Sequence, residues 1–302
     1  MREEHHLASN NKQVDAASYD IAAVEFDRLS ERFCGPVAMG LLDLAQLRAA
    51  DQALDVGSGT GLVALRAASA VRHGRVIGID HSPGMLEQAT RKALQSGLAD
   101  VATFRVMDAE RLEFPDQTFD VVLSLYALFH FPQPLVAIRE MYRVLRPGGR
   151  LVIGVGAGPD LFSWSAVAEA ARRTLELGAV ARGRLLVAPR FLTHLMTEHG
   201  MAPEEKHLPK SPRTPIPRML RDVGFHNVHQ RWQGHCEQLD AEDFWRVQAT
   251  YATPERIRLQ HATSDEIAAL KKDFLDRCGG VLANNGRLIY RHAAMFYVGT
   301  RA

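Results

Sequence analysis

One acidic residue and three glycines occupy every second position from 55 to 61. The pattern is Asp55-x-Gly57-x-Gly59-x-Gly61, and it follows directly on an apolar run that starts at Ala53. Glycines let the chain turn from a strand straight into a helix and let a ligand approach the backbone closely. The first turn of a helix favours an anionic group, because its N–H groups are free and its dipole end is positive. The pattern therefore predicts a strand, a glycine-rich turn and a helix that together bind a small ligand.

Asp80 indicates what kind of ligand this is. It follows the last glycine at close to the ~20 residues that bring an acid on the next strand to ribose hydroxyls. A dinucleotide fingerprint that starts at Gly57 requires a small residue at position 62, where this chain has Leu62. The sequence thus favours a ribose-bearing cofactor other than a dinucleotide. A nicotinamide-dependent oxidoreductase, or a glycine-rich turn without a ligand, is the alternative.

Further motifs follow the glycine-rich turn in order along the chain. They are Ile79-Asp80-His81-Ser82-Pro83-Gly84-Met85-Leu86, Val106-Met107-Asp108-Ala109, Phe119-Asp120-Val121-Val122-Leu123-Ser124 and the stretch from Arg143 to Ile153. Together these motifs resemble those of class I S-adenosylmethionine-dependent methyltransferases. The resemblance is closest to the branch with the ubiquinone and menaquinone biosynthesis methyltransferases and many small-molecule methyltransferases of secondary metabolism. It covers residues 51 to 156 firmly and the rest of the chain loosely.

The resemblance implies a cofactor, S-adenosyl-L-methionine, and a set of contacts to it. It implies that Asp80 binds the ribose, that Met85 lies against the adenine, and that Asp108 reads the adenine edge. The other expected cofactor contacts are Tyr19, Asp55, Gly57, Ser58, Gly59, Gly61, His81, Ala109, Ser124 and Tyr126. The implied activity is methyl transfer to a small-molecule acceptor, with O- or C-methylation favoured. A non-catalytic protein that binds this cofactor on the same fold is a further alternative.

His130 is the candidate catalytic residue. It lies just beyond the fourth predicted strand, and a histidine at that end of a sheet can take a proton from an acceptor hydroxyl. The alternative is that it orders the loop, as in many relatives. The segment Ser124-Leu125-Tyr126-Ala127 differs from the Asn/Asp-Pro-Pro-aromatic tetrad of amino-directed DNA methyltransferases, which argues against a nucleobase amine as acceptor.

The elements that carry these residues predict an α/β fold. We expect a Rossmann-like seven-stranded, mainly parallel sheet with helical cap insertions, whose last strand is antiparallel by family resemblance. Apolar runs predict strands over 53–56, 75–79, 119–125, 151–155 and about 294–299, with another from about Val228. Helices are expected after Gly61, from Pro83 behind an N-cap at Ser82, and up to Pro147. A last helix is expected from Pro217 to a glycine stop at Gly224.

The chain divides into four predicted segments. Residues 1–50 form an N-terminal helical segment, frayed over about the first 12 residues and broken at Gly35-Pro36, and residues 51–156 form the cofactor-binding core. Residues 157–217 form a cap insertion with helices over 161–177 and 190–199 and a proline-rich stretch. Residues 218–302 complete the core and contain a second helical insertion, about 241–280, that includes a capping box at Thr263. We expect the insertions to form the acceptor pocket, with padding of the sheet edge as the alternative.

Composition limits the partners. The chain has 302 residues with Lys+Arg 36 against Asp+Glu 35, so it has no basic excess for a nucleic-acid backbone. No apolar run reaches the ~18 residues of a membrane span, and the N-terminus lacks a signal-peptide pattern, so we expect a cytoplasmic protein. Cys34, Cys236 and Cys278 lack metal-ligand spacing, and no metal is expected. The oligomeric state stays open.

Overall fold

A computed structural model describes residues 2–156, 179, 185–187, 190–201 and 215–302. The chain divides into two compact units. The core unit comprises Met1–Ala157, Pro209–Gln233 and Ala294–Ala302, and the insertion unit comprises Gly158–Leu208 and Gly234–Ala293. The predicted helix over 161–177 and most of the predicted proline-rich stretch lie outside the described residues.

The strands form a sheet that is mostly parallel. They are β1 (Gln52–Val56), β2 (Arg75–Asp80), β3 (Ala102–Val106), β4 (Phe119–Leu125), β5 (Leu145–Val155), β6 (Leu185–Val187), β7 (Phe225–Leu239) and β8 (Arg287–Arg301). In the core unit the parallel order is β3-β2-β1-β4-β5, the last part of β8 pairs antiparallel with β5, and β7 pairs with β8. The predicted Rossmann-like sheet with an antiparallel last strand is confirmed.

The helices lie between the strands and in the insertion unit. They are α1 (Arg2–Ala45), α2 (Leu62–Ala70), α3 (Pro83–Gln95), a 3₁₀ turn (Leu128–His130), α4 (Pro134–Val144), α5 (Arg190–Glu198), α6 (Ile216–Val223), α7 (Ala241–Tyr251), α8 (Thr253–His261) and α9 (Ser264–Ala283). None of the helices that the structure describes is both long and apolar enough to cross a bilayer.

Local signals placed several helix ends correctly. Ser82 caps α3, since its Oγ accepts a hydrogen bond from the Met85 amide at 3.2 Å, and Pro83 occupies the first helical position. Gly224, with φ +115°, ends α6. Thr263 and Glu266 form the predicted capping box of α9.

Helix α1 contradicts the predicted break at Gly35-Pro36 and the predicted fraying before residue 12. It runs without interruption from Arg2 to Ala45 with Pro36 inside. An internal proline costs about 3 kcal/mol or more. Phe33, Val37 and Leu41 around it are fully buried, and each buried side chain of this size contributes about 1.5–3 kcal/mol. Packing in the core therefore outweighs the local cost of the proline.

Three strands differ from the predicted ranges. β5 begins at Leu145 instead of position 151, and its pairing with β4 shifts register between Phe119 and Val121, as at a β-bulge. β7 and β8 are each 15 residues long and continue from one unit into the other. β6, with three residues, was missed because so short a run carries no clear periodicity.

Two hydrophobic clusters cover the two faces of the core sheet. Val122 of β4 belongs to one cluster, whereas its neighbours Val121 and Leu123 belong to the other. Successive side chains of a strand point to opposite faces, so β4 is buried on both sides. The polar residues that follow the strands are thereby confined to the carboxyl edge of the sheet, where ligands bind in folds of this kind.

The insertion unit has its own aromatic core. Phe274 of α9 contacts Phe191 of α5 at a ring-centroid distance of 4.9 Å and Trp245 of α7 at 5.2 Å. β6 pairs in parallel with the first part of β8. The predicted helical insertion over about 241–280 consists of helices α7, α8 and α9.

Candidate functional site

The glycine-rich turn connects β1 and α2 as predicted. Gly57, Gly59 and Gly61 all have positive φ, at +73°, +53° and +82°. A Cβ on Gly57 would lie 2.2 Å from the Cβ of Ala127, so this glycine makes room for the loop after β4. A Cβ on Gly59 would meet no atom within 4 Å. The turn is therefore tightly packed at its start and open at Gly59.

Asp80 connects the loops after β1 and β2. One of its carboxylate oxygens accepts a hydrogen bond from the Gly59 amide at 2.8 Å, and the other accepts one from the Ser82 amide at 3.0 Å. Burial raises the pKa of Asp80, and these amide hydrogen bonds act in the opposite direction. A carboxylate has about four acceptor positions. Asp80 is thus held in place with acceptor positions left for a ligand.

Buried polar atoms without partners lie next to Asp80. Among the residues that the structure describes, neither carboxyl oxygen of Asp55 nor the hydroxyl of Ser58 or Thr60 has a hydrogen-bond partner. Asp55 is only 1% exposed. Burial, with a smaller effect of the negative charge of Asp80, raises the pKa of Asp55 to about 7, although the backbone amide of Ala64 acts in the opposite direction. Leaving such groups unpaired costs ~1–3 kcal/mol each, so this part of the turn suits a ligand with donors or a positive charge.

Asp108, the predicted reader of the adenine edge, is bonded to a residue of α1. Both of its carboxylate oxygens lie 2.8 Å from Lys12 Nζ, and the Glu110 amide donates to Oδ1 at 2.9 Å. Burial by itself would raise the pKa of Asp108, but the hydrogen bonds from Lys12 and from the Glu110 amide outweigh it and lower the pKa. Contact between Asp108 and adenine stays a prediction.

The other residues that were predicted to contact the cofactor differ in their exposure to solvent. Met85, Ala109 and Ser124 are buried, and the Ser124 hydroxyl donates to the Val56 carbonyl at 2.9 Å. His81 is exposed. The structure therefore brings His81 and Asp80 to the surface of the site and keeps the other three side chains beneath it. Their roles toward the cofactor stay predictions.

Tyr126 has an unusual backbone conformation at the end of β4. Its φ is +60°, a left-handed value that costs a residue with a side chain about 1–2 kcal/mol. Its amide donates to the Gly154 carbonyl of β5 at 2.7 Å. Strained residues of this kind cluster at ligand sites. Tyr126 directly precedes Ala127, which lies against Gly57, and its contact with the cofactor stays a prediction.

His130 lies in a small cluster with two residues of α1. Its Nδ1 is 2.7 Å from a carboxylate oxygen of Asp15, and its Nε2 is 3.5 Å from the hydroxyl of Tyr19. The rings of Tyr19 and His130 meet edge to face with centroids 5.6 Å apart. Both His130 and Asp15 are about three-quarters buried, with exposed side-chain fractions of 25% and 22%.

Helix α1 contributes residues that sequence reasoning missed. Lys12 and Asp15 bond to the loops after β3 and β4, and Asp20 accepts hydrogen bonds from the Ser82 hydroxyl at 2.6 Å and the Gly84 amide at 2.7 Å. Lys12, Asp15 and Tyr19 are spaced three and four positions apart, which places them on one face of a helix. That spacing indicates a shared helix face, but it does not indicate which loops these three side chains contact.

Comparisons with known proteins identify the core. Residues 54–153 match the family model described as methyltransferase domain. This segment is a methyltransferase domain. The chain is 35% identical over 145 residues to aklanonic acid methyltransferase DauC of Streptomyces sp. (strain C5), a match that covers 48% of this chain and 65% of that protein. It is 42% identical over 106 residues to demethylmenaquinone methyltransferase of Symbiobacterium thermophilum, which covers 35% of this chain and 42% of that protein.

The solved structures confirm the fold of the methyltransferase domain. The YcgJ protein of Bacillus subtilis superposes with a TM-score of 0.54 at 22% identity, covering 87% of this chain and 97% of that one. The resemblance to class I S-adenosylmethionine-dependent methyltransferases, including the menaquinone branch, is confirmed. The chain spans about two thirds of the length of the first of these curated relatives and about two fifths of the length of the second.

Proposed function

We propose that the protein binds S-adenosyl-L-methionine and transfers its methyl group to a small-molecule acceptor. The observation that carries the proposal is the set of unpartnered buried polar atoms, among the described residues, at the glycine-rich turn of a methyltransferase domain. A ligand with matching polar groups removes the cost of leaving those atoms unpaired. When bound, this cofactor supplies an electrophilic methyl group on a positively charged sulfur.

Different residues of the site suit different parts of the cofactor. Asp80, oriented by the Gly59 and Ser82 amides, has acceptor positions for ribose hydroxyls. The carboxyl of Asp55 suits a cationic group of the ligand. Its oxygens have no hydrogen-bond partner among the described residues, and a cationic donor would stabilise their charged form. Gly59 leaves open space next to Asp80. These fits favour S-adenosylmethionine over a nicotinamide dinucleotide, which the presence of Leu62 also disfavours.

The acceptor is proposed to be a small molecule methylated at oxygen or carbon. Both curated relatives are named for small-molecule methylation, of aklanonic acid and of demethylmenaquinone. The formal charge of +1 gives no support for a nucleic-acid substrate. That the insertions select the acceptor, and that the protein is cytoplasmic, stay predictions from the sequence.

Methyl transfer depends mainly on positioning. Holding the acceptor atom, the methyl carbon and the sulfur in line supplies about 7–11 kcal/mol of the barrier reduction. A base is required only when the acceptor must lose a proton. His130 is our candidate for that base, and ordering of the loop after β4 is its alternative role.

Calorimetric titration tests the cofactor assignment. We expect saturable binding of S-adenosylmethionine and S-adenosylhomocysteine and no binding of NAD. Saturable binding of NAD alone would reverse the assignment. Released S-adenosylhomocysteine, measured with a panel of phenols, alcohols and carboxylic acids, then tests turnover. Cofactor binding without turnover of any compound in the panel would favour the non-catalytic alternative.

A further inference from the structure

We propose that Asp15 positions His130 as the general base of the transfer, which makes the acceptor a hydroxyl compound. This inference rests on the proposed function and names the chemical class of its acceptor. Asp15 belongs to α1 and His130 to the 3₁₀ turn after β4, so the pair joins two segments that are 115 positions apart in sequence.

The 2.7 Å contact determines which imidazole nitrogen carries the proton. An ionised carboxylate only accepts hydrogen bonds, so Nδ1 of His130 must donate to Asp15. In the neutral imidazole the proton is then absent from Nε2, whose lone pair is available to accept one. Asp15 therefore fixes the tautomer that a base requires.

Tyr19 shows where a hydroxyl approaches that lone pair. Its O–H lies 3.5 Å from Nε2, and the edge-to-face contact between the two rings restrains the imidazole in this orientation. A phenol or alcohol acceptor presents the same group to Nε2. The chemistry of this position thus matches an acceptor that enters with its proton and must lose it, in contrast to a carboxylate, which has none to lose at neutral pH.

The step balances as a proton transfer coupled to methyl transfer. The acceptor O–H proton passes to Nε2 of His130 while the acceptor oxygen forms a bond to the methyl carbon. The carbon–sulfur bond breaks, and its electron pair stays on sulfur, which becomes a neutral thioether. The carboxylate of Asp15 stabilises the imidazolium that forms, and partial burial of the pair limits screening of this interaction by water.

Nitrogen NMR of the histidine ring tests the positioning role without any acceptor. In ¹⁵N-labelled protein, long-range proton–nitrogen correlations distinguish a protonated Nδ1 from a protonated Nε2. We expect His130 to show a protonated Nδ1 in the full-length protein, and Asp15→Ala to shift it toward the Nε2–H form. Asp27→Asn, which removes the contact of α1 with Lys92 instead, is the matched control and should leave the signal unchanged. A protonated Nε2 in the unmodified protein would overturn the proposal.

Turnover provides the second measurement. With phenols as probes, Asp15→Ala should lower kcat by about 100-fold, the lower end of the range for general base catalysis. Cofactor affinity should stay within twofold, and Asp15→Asn should recover part of the rate because its amide oxygen can still accept from Nδ1. An equal loss of kcat with Asp27→Asn would refute the role of His130 as a general base positioned by Asp15. Turnover of carboxylic acids alone, with a kcat that Asp15→Ala does not change, would also refute it. Absence of cofactor binding would instead refute the proposed function, while the NMR result would still decide the positioning.

Discussion

The Asp80 carboxylate accepts a hydrogen bond from the Gly59 amide at 2.8 Å, so the acid that ends β2 also fixes the turn after β1. The spacing of these two residues in the sequence predicted that they share one site. The structure shows in addition that the Gly59 amide donates and the Asp80 carboxylate accepts. Because the Gly59 amide and the Ser82 amide occupy one acceptor position on each oxygen, the carboxylate is oriented before a ligand arrives. Such preorganisation reduces the entropy that binding has to offset.

Asp80→Ala should weaken S-adenosylmethionine binding by about 10- to 100-fold. The basis is the ~1.5–3 kcal/mol that hydrogen bonds to a charged group contribute. Asp100→Ala, at an exposed acid beyond α3, is the control and should bind like the unmodified protein. Calorimetric titration measures both. An Asp80→Ala affinity equal to that of the control would show that Asp80 does not bind the ribose.

Asp55→Asn should stabilise the ligand-free protein at pH 8 and change little at pH 4. The folded-state pKa of Asp55 is raised from 3.8 to about 7, so the folded protein binds the extra proton between these values. Stability therefore falls as the pH rises from about 4 to about 7, by roughly 4 kcal/mol at most, since one pKa unit corresponds to ~1.4 kcal/mol. The uncharged asparagine avoids this loss.

Urea unfolding of both proteins at pH 4 and pH 8 measures the difference. The same variant should bind S-adenosylmethionine more weakly, because the charged carboxylate that suits a cationic group is gone. An Asp55→Asn protein that is less stable than the unmodified one at pH 8 would contradict the unpartnered state of this carboxyl.

The sequence predicted those features whose signals are local. The range of β4, the cap of α3 at Ser82 and the stop of α6 at Gly224 follow from apolar runs, a serine-proline pair and a glycine. Lys12 and Asp15 could not be placed in this way, because they contact residues 96 and 115 positions away. The continuity of α1 through Pro36 likewise depends on burial against the rest of the core unit, which no local pattern encodes.

Gly57→Ala and Gly59→Ala should have different effects although both glycines have positive φ. A Cβ at Gly57 would lie 2.2 Å from the Ala127 Cβ, so this variant should lose stability through both strain and a clash. At Gly59 the space is open, so the cost is limited to the ~1–2 kcal/mol of the left-handed conformation, but the methyl group enters the space offered to the cofactor. Thermal unfolding should therefore rank Gly57→Ala as the less stable variant. Relative to its loss of stability, Gly59→Ala should lose more affinity for S-adenosylmethionine than Gly57→Ala does, as measured by calorimetric titration. The reverse order would place the cofactor elsewhere.

Phe274→Ala should destabilise the insertion unit and spare cofactor affinity. Phe274 is fully buried and contacts Phe191, Phe244 and Trp245, so its removal leaves a cavity that costs about 3–5 kcal/mol. The residues proposed to bind the cofactor, including Asp55 and Asp80, all belong to the core unit. Hydrogen exchange should therefore accelerate in α7 and α9 and stay slow in β1 and β4, while S-adenosylmethionine binds with unchanged affinity at a temperature below the unfolding transition.

Phe119→Ala, which removes a buried ring from β4 of the core unit, is the matched control and should give the opposite exchange pattern. A parallel loss of cofactor affinity and insertion-unit protection in Phe274→Ala would show that the cofactor site depends on the insertion unit.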